Sequence, residues 1–114
     1  MDSVASLIYL LFVHWVADFV CQTDNMAKNK SNNFNYLLLH IAEYTGVFTF
    51  LTGAWFAPEF IIINCAAHLL IDYATSKLNS YLWQKQQIHY FFVSIGFDQL
   101  LHLSLMVYTL WLFY

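Results

Sequence analysis

A chain of 114 residues has the length of one domain, but 61% hydrophobic and 20% aromatic residues with only 10% charged ones is not a soluble-domain composition. The net charge is -3 and Arg is absent, so the clustered Lys and Arg of a nucleic-acid footprint are missing. These values point to an integral membrane protein and exclude nucleic acid as a partner.

The first apolar run, from about Ser3 to Cys21, has the roughly 20 residues that a helix needs to cross the hydrocarbon. Met1 and Asp2 supply no basic segment ahead of it, and His14 and Asp18 interrupt it. A cleaved signal peptide is therefore not expected. A polar stretch from Gln22 to Asn33 follows, and Ser31, Asn32 and Asn33 are N-cap types for a second span from about Phe34 to Phe56. Gly53 to Pro58 reads as a short turn with Pro58 in a first helical position. A third span runs from Glu59 to about Lys77. Leu78 to Gln87 reads as a connection, and a fourth span continues from near Ile88 to Tyr114. The expected fold is an all-α, polytopic membrane four-helix bundle forming a single transmembrane domain.

Lys28, Lys30, Lys77 and Lys85 are the only basic side chains, and all fall in or beside the first and third connections. The positive-inside rule makes that side cytoplasmic and puts both termini on the other side, the periplasm for a bacterial inner membrane. Trp15, Trp55, Trp83 and Trp111 and the Tyr residues read as belt and packing residues among membrane lipids, and His89 as an interface anchor. Cys21 and Cys65 have no CxxC spacing and read as small buried apolar residues.

Each span carries a polar couple at helical spacing: His14 with Asp18, His40 with Glu43, His68 with Asp72, and Asp98 with His102. Counted from the Lys-bearing ends, the couples fall in roughly one layer, with that of span four deepest. Ionisable groups in hydrocarbon cost about 2.5–3.5 kcal/mol or more and mark functional sites. Asp18, Glu43, Asp72 and Asp98 have no Lys or Arg within the spans, so protons, imidazolium or metal ions must balance them. Two divalent cations would do so with neutral imidazoles. Mixed imidazole and carboxylate ligands favour zinc, with manganese or iron as alternatives. Gln22, Tyr44, Asn64 and Ser94 lie one helical turn from members of the couples and read as polar support or substrate contacts. A bland reading stands beside this one, in which each His and Asp pair only joins helices.

His14, Ala17, Asp18 and Phe19, followed by Gln22, Thr23, Asp24, Met26, Ala27, Asn29, Lys30 and Ser31, resemble the signature of an uncharacterised family of small bacterial and phage multispan membrane proteins. The resemblance continues in His40, in His68, Asp72 and Tyr73, and in Asp98, Gln99 and His102. It covers nearly the whole chain and implies a fold but no activity, since that family is a domain of unknown function. It implies an inner-membrane protein of a bacterium or of a phage host. The His-x-x-x-Asp spacing is also similar to that of membrane-bound metal-dependent hydrolases and of the all-helical zinc phospholipase C and P1-type nuclease group. Asp98 with His102 is reversed relative to it, and His40 with Glu43 is one residue short.

The leading expectation is an intramembrane metal-dependent hydrolase acting on a phosphoester or similar bond in a lipid or membrane-proximal substrate. His14, Asp18, His40, His68, Asp72, Asp98 and His102 are the expected metal ligands. Glu43 is a ligand or general base, and Asp24 a turn residue able to join the catalytic set. Gln22, Lys30, Asn64 and Gln99 are the expected substrate contacts. No nucleophile motif is present, so water is the expected nucleophile. Two alternatives remain: a metal or proton pathway, which in so small a bundle would require a homo-oligomer, and a bacterial or phage-encoded membrane interaction protein whose polar layer is structural.

Overall fold

The computed structural model describes residues 3–114; Met1 and Asp2, which the signal-peptide argument uses, lie outside them. The described chain is all-helical. Helix α1 (Ser3–Trp15) runs directly into a π-helical turn (Val16–Val20), followed by α2 (Asp24–Asn29), α3 (Phe34–Thr52), α4 (Pro58–Gln84) and α5 (Ile88–Phe113).

The local signals for helix ends act as their chemistry requires. The Asn33 side chain accepts a 3.0 Å bond from the Asn35 amide at the start of α3. Pro58 opens α4, where its missing N–H is no loss. At Gly53 a Cβ would lie 2.8 Å from the Thr49 carbonyl oxygen, so a glycine suits the tight close of α3. Between α4 and α5, Gln86 turns the chain with a φ of 59°.

Three local expectations differ from the structure. The stretch from Gln22 to Asn33 contains α2, because Thr23 Oγ1 caps the Met26 amide at 3.2 Å. The segment expected to be a connection after Lys77 is helical to Gln84. There Ser80 bonds Ser31 at 2.5 Å and Trp83 lies 5.0 Å from the Phe91 ring, tertiary contacts that outweigh the weak helix preference of Asn79 and Ser80. Cys21 is exposed, standing just past the π-helical turn, while Cys65 is buried as expected.

Successive long helices are antiparallel neighbours. Tyr9 hydrogen-bonds the Leu51 carbonyl while His14 meets Tyr44, so α1 and α3 run oppositely. Phe48 faces Phe60 and His40 faces His68 between α3 and α4. Asn64 bonds Thr109 and Thr75 bonds Asp98 between α4 and α5, the most extensive helix pair. The bundle measures 45 × 26 × 20 Å.

Its interior has two zones. One is apolar, built from Leu10, Val13, Phe48, Phe56, Phe60, Ile61 and Met106. The other is polar, and buries His14, Asp18, His40, His68, Asp72, Asp98 and His102. The exterior is apolar: Ile8, Phe12, Leu39, Phe50, Ile62, Leu70, Phe92 and Leu100 are among its exposed side chains. Among the described residues, α5 is the one helix long and apolar enough to cross a membrane, and Val4–Val20 is a shorter apolar segment.

Phe60 is fully buried against Phe48, Phe56 and Tyr114. Phe60→Ala is expected to lower unfolding stability by about 3 kcal/mol, the usual cost of emptying such a site. Denaturant or thermal unfolding of the purified protein checks this; an unchanged midpoint would show that the apolar zone is not a packed core.

Candidate metal centre

The polar zone is assembled by four helical segments that each direct one couple inward. Asp18 lies in the π-helical turn, where Cys21 N bonds Val16 O at 2.9 Å. Such turns often occur at functional sites. Asp18 stands 3.6 Å from His14, while its Oδ1 faces α3 and α4.

At the centre, His40 Nε2 is 3.1 Å from Asp18 Oδ1, 3.1 Å from Asp72 Oδ2 and 3.2 Å from His68 Nε2. His68 Nε2 is 3.3 Å from Asp18 Oδ1 and 3.4 Å from Asp72 Oδ2. Ligand atoms at the corners of a tetrahedron with metal bonds of about 2.0–2.1 Å stand about 3.3 Å apart. Five of the six edges are thus near the value that a four-coordinate zinc-type ion needs.

A second group adjoins the first. Asp18, Asp98 and His102 also offer ligand atoms within 4.8 Å of one another. His102 Nε2 is 3.3 Å from Asp98 Oδ1 and 3.3 Å from Asp72 Oδ1. Asp18 belongs to both groups, and Asp72 directs one oxygen to each. The donor set can therefore hold a metal ion, and its layout has two adjacent positions.

The surrounding contacts fix these ligands. Tyr44 stacks on His68 with centroids 3.8 Å apart and planes 7° from parallel. Thr75 Oγ1 donates to Asp98 Oδ1 at 2.5 Å. Gln99 Nε2 donates to Asp98 Oδ2 at 3.0 Å and Asp18 Oδ2 at 3.3 Å, so its Oε1 is left to accept from His14 Nε2 at 2.9 Å. His14 Nδ1 then accepts from the Tyr44 hydroxyl at 3.0 Å. Both ring nitrogens of His14 are hydrogen-bonded, and it stands outside the two groups of converging ligand atoms.

A family model described as Protein of unknown function (DUF3307) matches residues 6–114. The chain belongs to this family. No curated protein and no solved structure matches it. The match spans every residue of the polar zone and bears out the resemblance to an uncharacterised family read from the residues between His14 and Ser31.

The other expected residues divide. Lys30 Nζ pairs with Asp72 Oδ2 at 3.2 Å, so one carboxylate has a lysine partner after all, supplied from the first connection. Glu43 lies 3.3 Å from His40 Nδ1, a contact that orients His40; neither Glu43 oxygen has a hydrogen-bond partner among the described residues. Asp24 is exposed in the first turn of α2, outside the polar zone. Asn64 donates to Phe60 O and Thr109 Oγ1, both at 2.9 Å, and so ties α4 to α5 within the bundle. Gln22 and Gln99 line a cavity that reaches Asp18 and Asp98. The α5 couple is not deeper than the rest, since Asp98 pairs with Thr75 and His102 with Asp72; the long α4 carries the start of α5 outward by the same amount. Thr75 was missed, although it stands three residues after Asp72 on the same helix face.

Protein purified without chelator or polyhistidine tag is expected to carry a divalent metal in elemental analysis. His68→Ala should lose it, whereas His14→Ala should keep it. Equal metal content in all three proteins would remove the four-residue group as a ligand set.

Proposed function

We propose that this protein is a polytopic intramembrane metal-dependent hydrolase that cleaves a phosphoester or similar bond in a lipid or membrane-proximal substrate, in a bacterial inner membrane, with zinc as the first-choice metal and manganese or iron as alternatives. The observation that carries it is the near-tetrahedral spacing of Asp18, His40, His68 and Asp72, next to a second acid-rich group that a cavity reaches.

Inverted polarity supports the membrane part. His40 in α3, and Asn64, His68 and Asp72 in α4, lower the hydropathy of those helices, and all four are buried. The surfaces that remain carry Leu38, Leu39, Phe50, Ile62, Ile63 and Leu70. Such helices suit lipid outside and polar partners inside. The 19 residues of α3 would extend about 28 Å at 1.5 Å per residue, close to the hydrocarbon thickness.

The chemistry follows from what faces the cavity. A divalent cation, when bound, would supply Lewis acidity toward the scissile group and the attacking water. Asp18, His40, His68 and Asp72 would hold the cation, and Asp98 stands beside the cavity as the base. Asp98 lines that cavity and takes the proton from water as its oxygen bonds to phosphorus. The ester oxygen leaves with the phosphorus–oxygen bond pair, and the same proton returns to it. His102, 3.3 Å from Asp98, and Thr75 hold that carboxylate in place. Glu43 acts through His40 as a positioning residue.

Purified protein supplied with zinc or manganese is expected to release headgroup or phosphate from a lipid phosphoester panel. Asp98→Asn should slow release at least about 100-fold, the usual contribution of a general base, while metal stays on the buried group. His68→Ala should abolish both. Metal-loaded protein that turns over none of the panel would overturn the hydrolase assignment.

A further inference from the structure

The cavity that ends on Asp18, Asp98 and Gln99 has a volume of about 520 Å³ and opens at the Lys-bearing end, between the end of the first helical segment, α2, α4 and α5. Its walls have a specific chemistry. Gln22 Oε1, Ser76 Oγ and Asn79 Oδ1 are buried atoms without a hydrogen-bond partner, and all three residues line it. Ser76 is only 5% exposed. Buried polar atoms left unpaired cost about 1–3 kcal/mol each, so three converging on one space point to a ligand that pairs them.

The ligand's character follows from the same walls. Two unpartnered atoms are amide oxygens, which need donors. Asp18 and Asp98 line the cavity's inner part; of its two lysines Lys30 is already paired with Asp72 and Lys28 is exposed, so a bare anion beside Asp18 and Asp98 meets carboxylates first. A hydroxyl both donates and accepts, and satisfies an amide in either orientation as well as Ser76. Trp83 and Phe91, 5.0 Å apart, add an aromatic wall for a carbon skeleton. Phe19 also lines the cavity and is 46% exposed, continuing it onto the apolar exterior.

We propose that this cavity binds the polyhydroxylated headgroup of a membrane lipid, a sugar or polyol whose hydroxyls pair Gln22, Ser76 and Asn79 and whose carbon face rests on Trp83. This deepens the lipid-substrate reading and rests on its membrane part, not on the metal. The headgroup's attachment bond would then lie toward Asp18 and Asp98.

Native mass spectrometry of the full chain in nanodiscs tests it, using monoglucosyl diacylglycerol, phosphatidylinositol, phosphatidylcholine and phosphatidic acid with matched acyl chains. The first two are expected to bind at least about tenfold more tightly than the others. Asn79→Ala and Gln22→Ala should each erase about tenfold of that preference, the size of one buried hydrogen bond. Gln22 precedes α2 and Asn79 lies in α4, so if one variant fails to fold the other still decides. Equal retention of all four lipids, a preference for phosphatidic acid, or variants that keep the wild-type preference would overturn the proposal. Free glucose or inositol competing as well as the lipids would assign the cavity to a soluble sugar and overturn it too. His68→Ala should retain the headgroup preference. Binding without metal or hydrolysis sinks the hydrolase reading alone; metal and hydrolysis without the preference sink this one alone.

Discussion

The meeting of two imidazoles with two carboxylates, His40 and His68 between Asp18 and Asp72, is the constraint around which the rest of the bundle is arranged. Asp18 comes from the π-helical turn, His40 from α3, and His68 and Asp72 from α4. Bringing ionisable groups together inside is costly unless each finds a partner. The surrounding contacts supply those partners: Tyr44 holds the plane of His68, Gln99 bridges His14 to two carboxylates, and Lys30 reaches in from the first connection. The site is thus also the main polar link between the first, third, fourth and fifth helices.

Polarity in this molecule runs opposite to that of a soluble domain. Buried Asp and His gather in the polar zone and further Asn, Ser and Thr are buried along the bundle, while many Phe, Trp, Leu and Ile side chains are exposed. The same inversion explains why α5 alone reads as a membrane span by length and hydropathy: α3 and α4 spend part of their length on the polar interior. Below the polar zone, Phe48, Phe56 and Phe60 pack as in any helical core and keep the helices in register. On the other side the polar cavity opens beside the Lys-bearing connections.

Much of this was legible in the residues. Helical spacing put each His with its carboxylate on one face, and Asn33, Gly53 and Pro58 marked helix ends that the structure keeps. The positions that misled are those where local and tertiary preferences compete. Leu78 to Gln84 reads as polar connection because its Asn, Ser and Gln are poor span residues, yet α4 continues through it on contacts to Ser31 and Phe91. His14 has the same spacing to its carboxylate as His68, yet the Tyr44 and Gln99 side chains from other helices engage both its ring nitrogens. Asn64 looks like a site residue one turn from His68, but Thr109 takes its amide.

By itself the sequence determined the four long helical segments to within a few turns, their apolar faces and the residue types of the polar zone, because periodicity, capping and hydropathy are properties of short stretches of chain. Only the tertiary structure decided which oxygen of Asp18 and Asp72 meets which nitrogen, that Asp18 serves two groups, and that three unpartnered polar atoms share one cavity. Those facts depend on helix register and rotation, set by packing between segments up to 85 positions apart, as His14 and Gln99 are. Spacing along one helix carries no information about them.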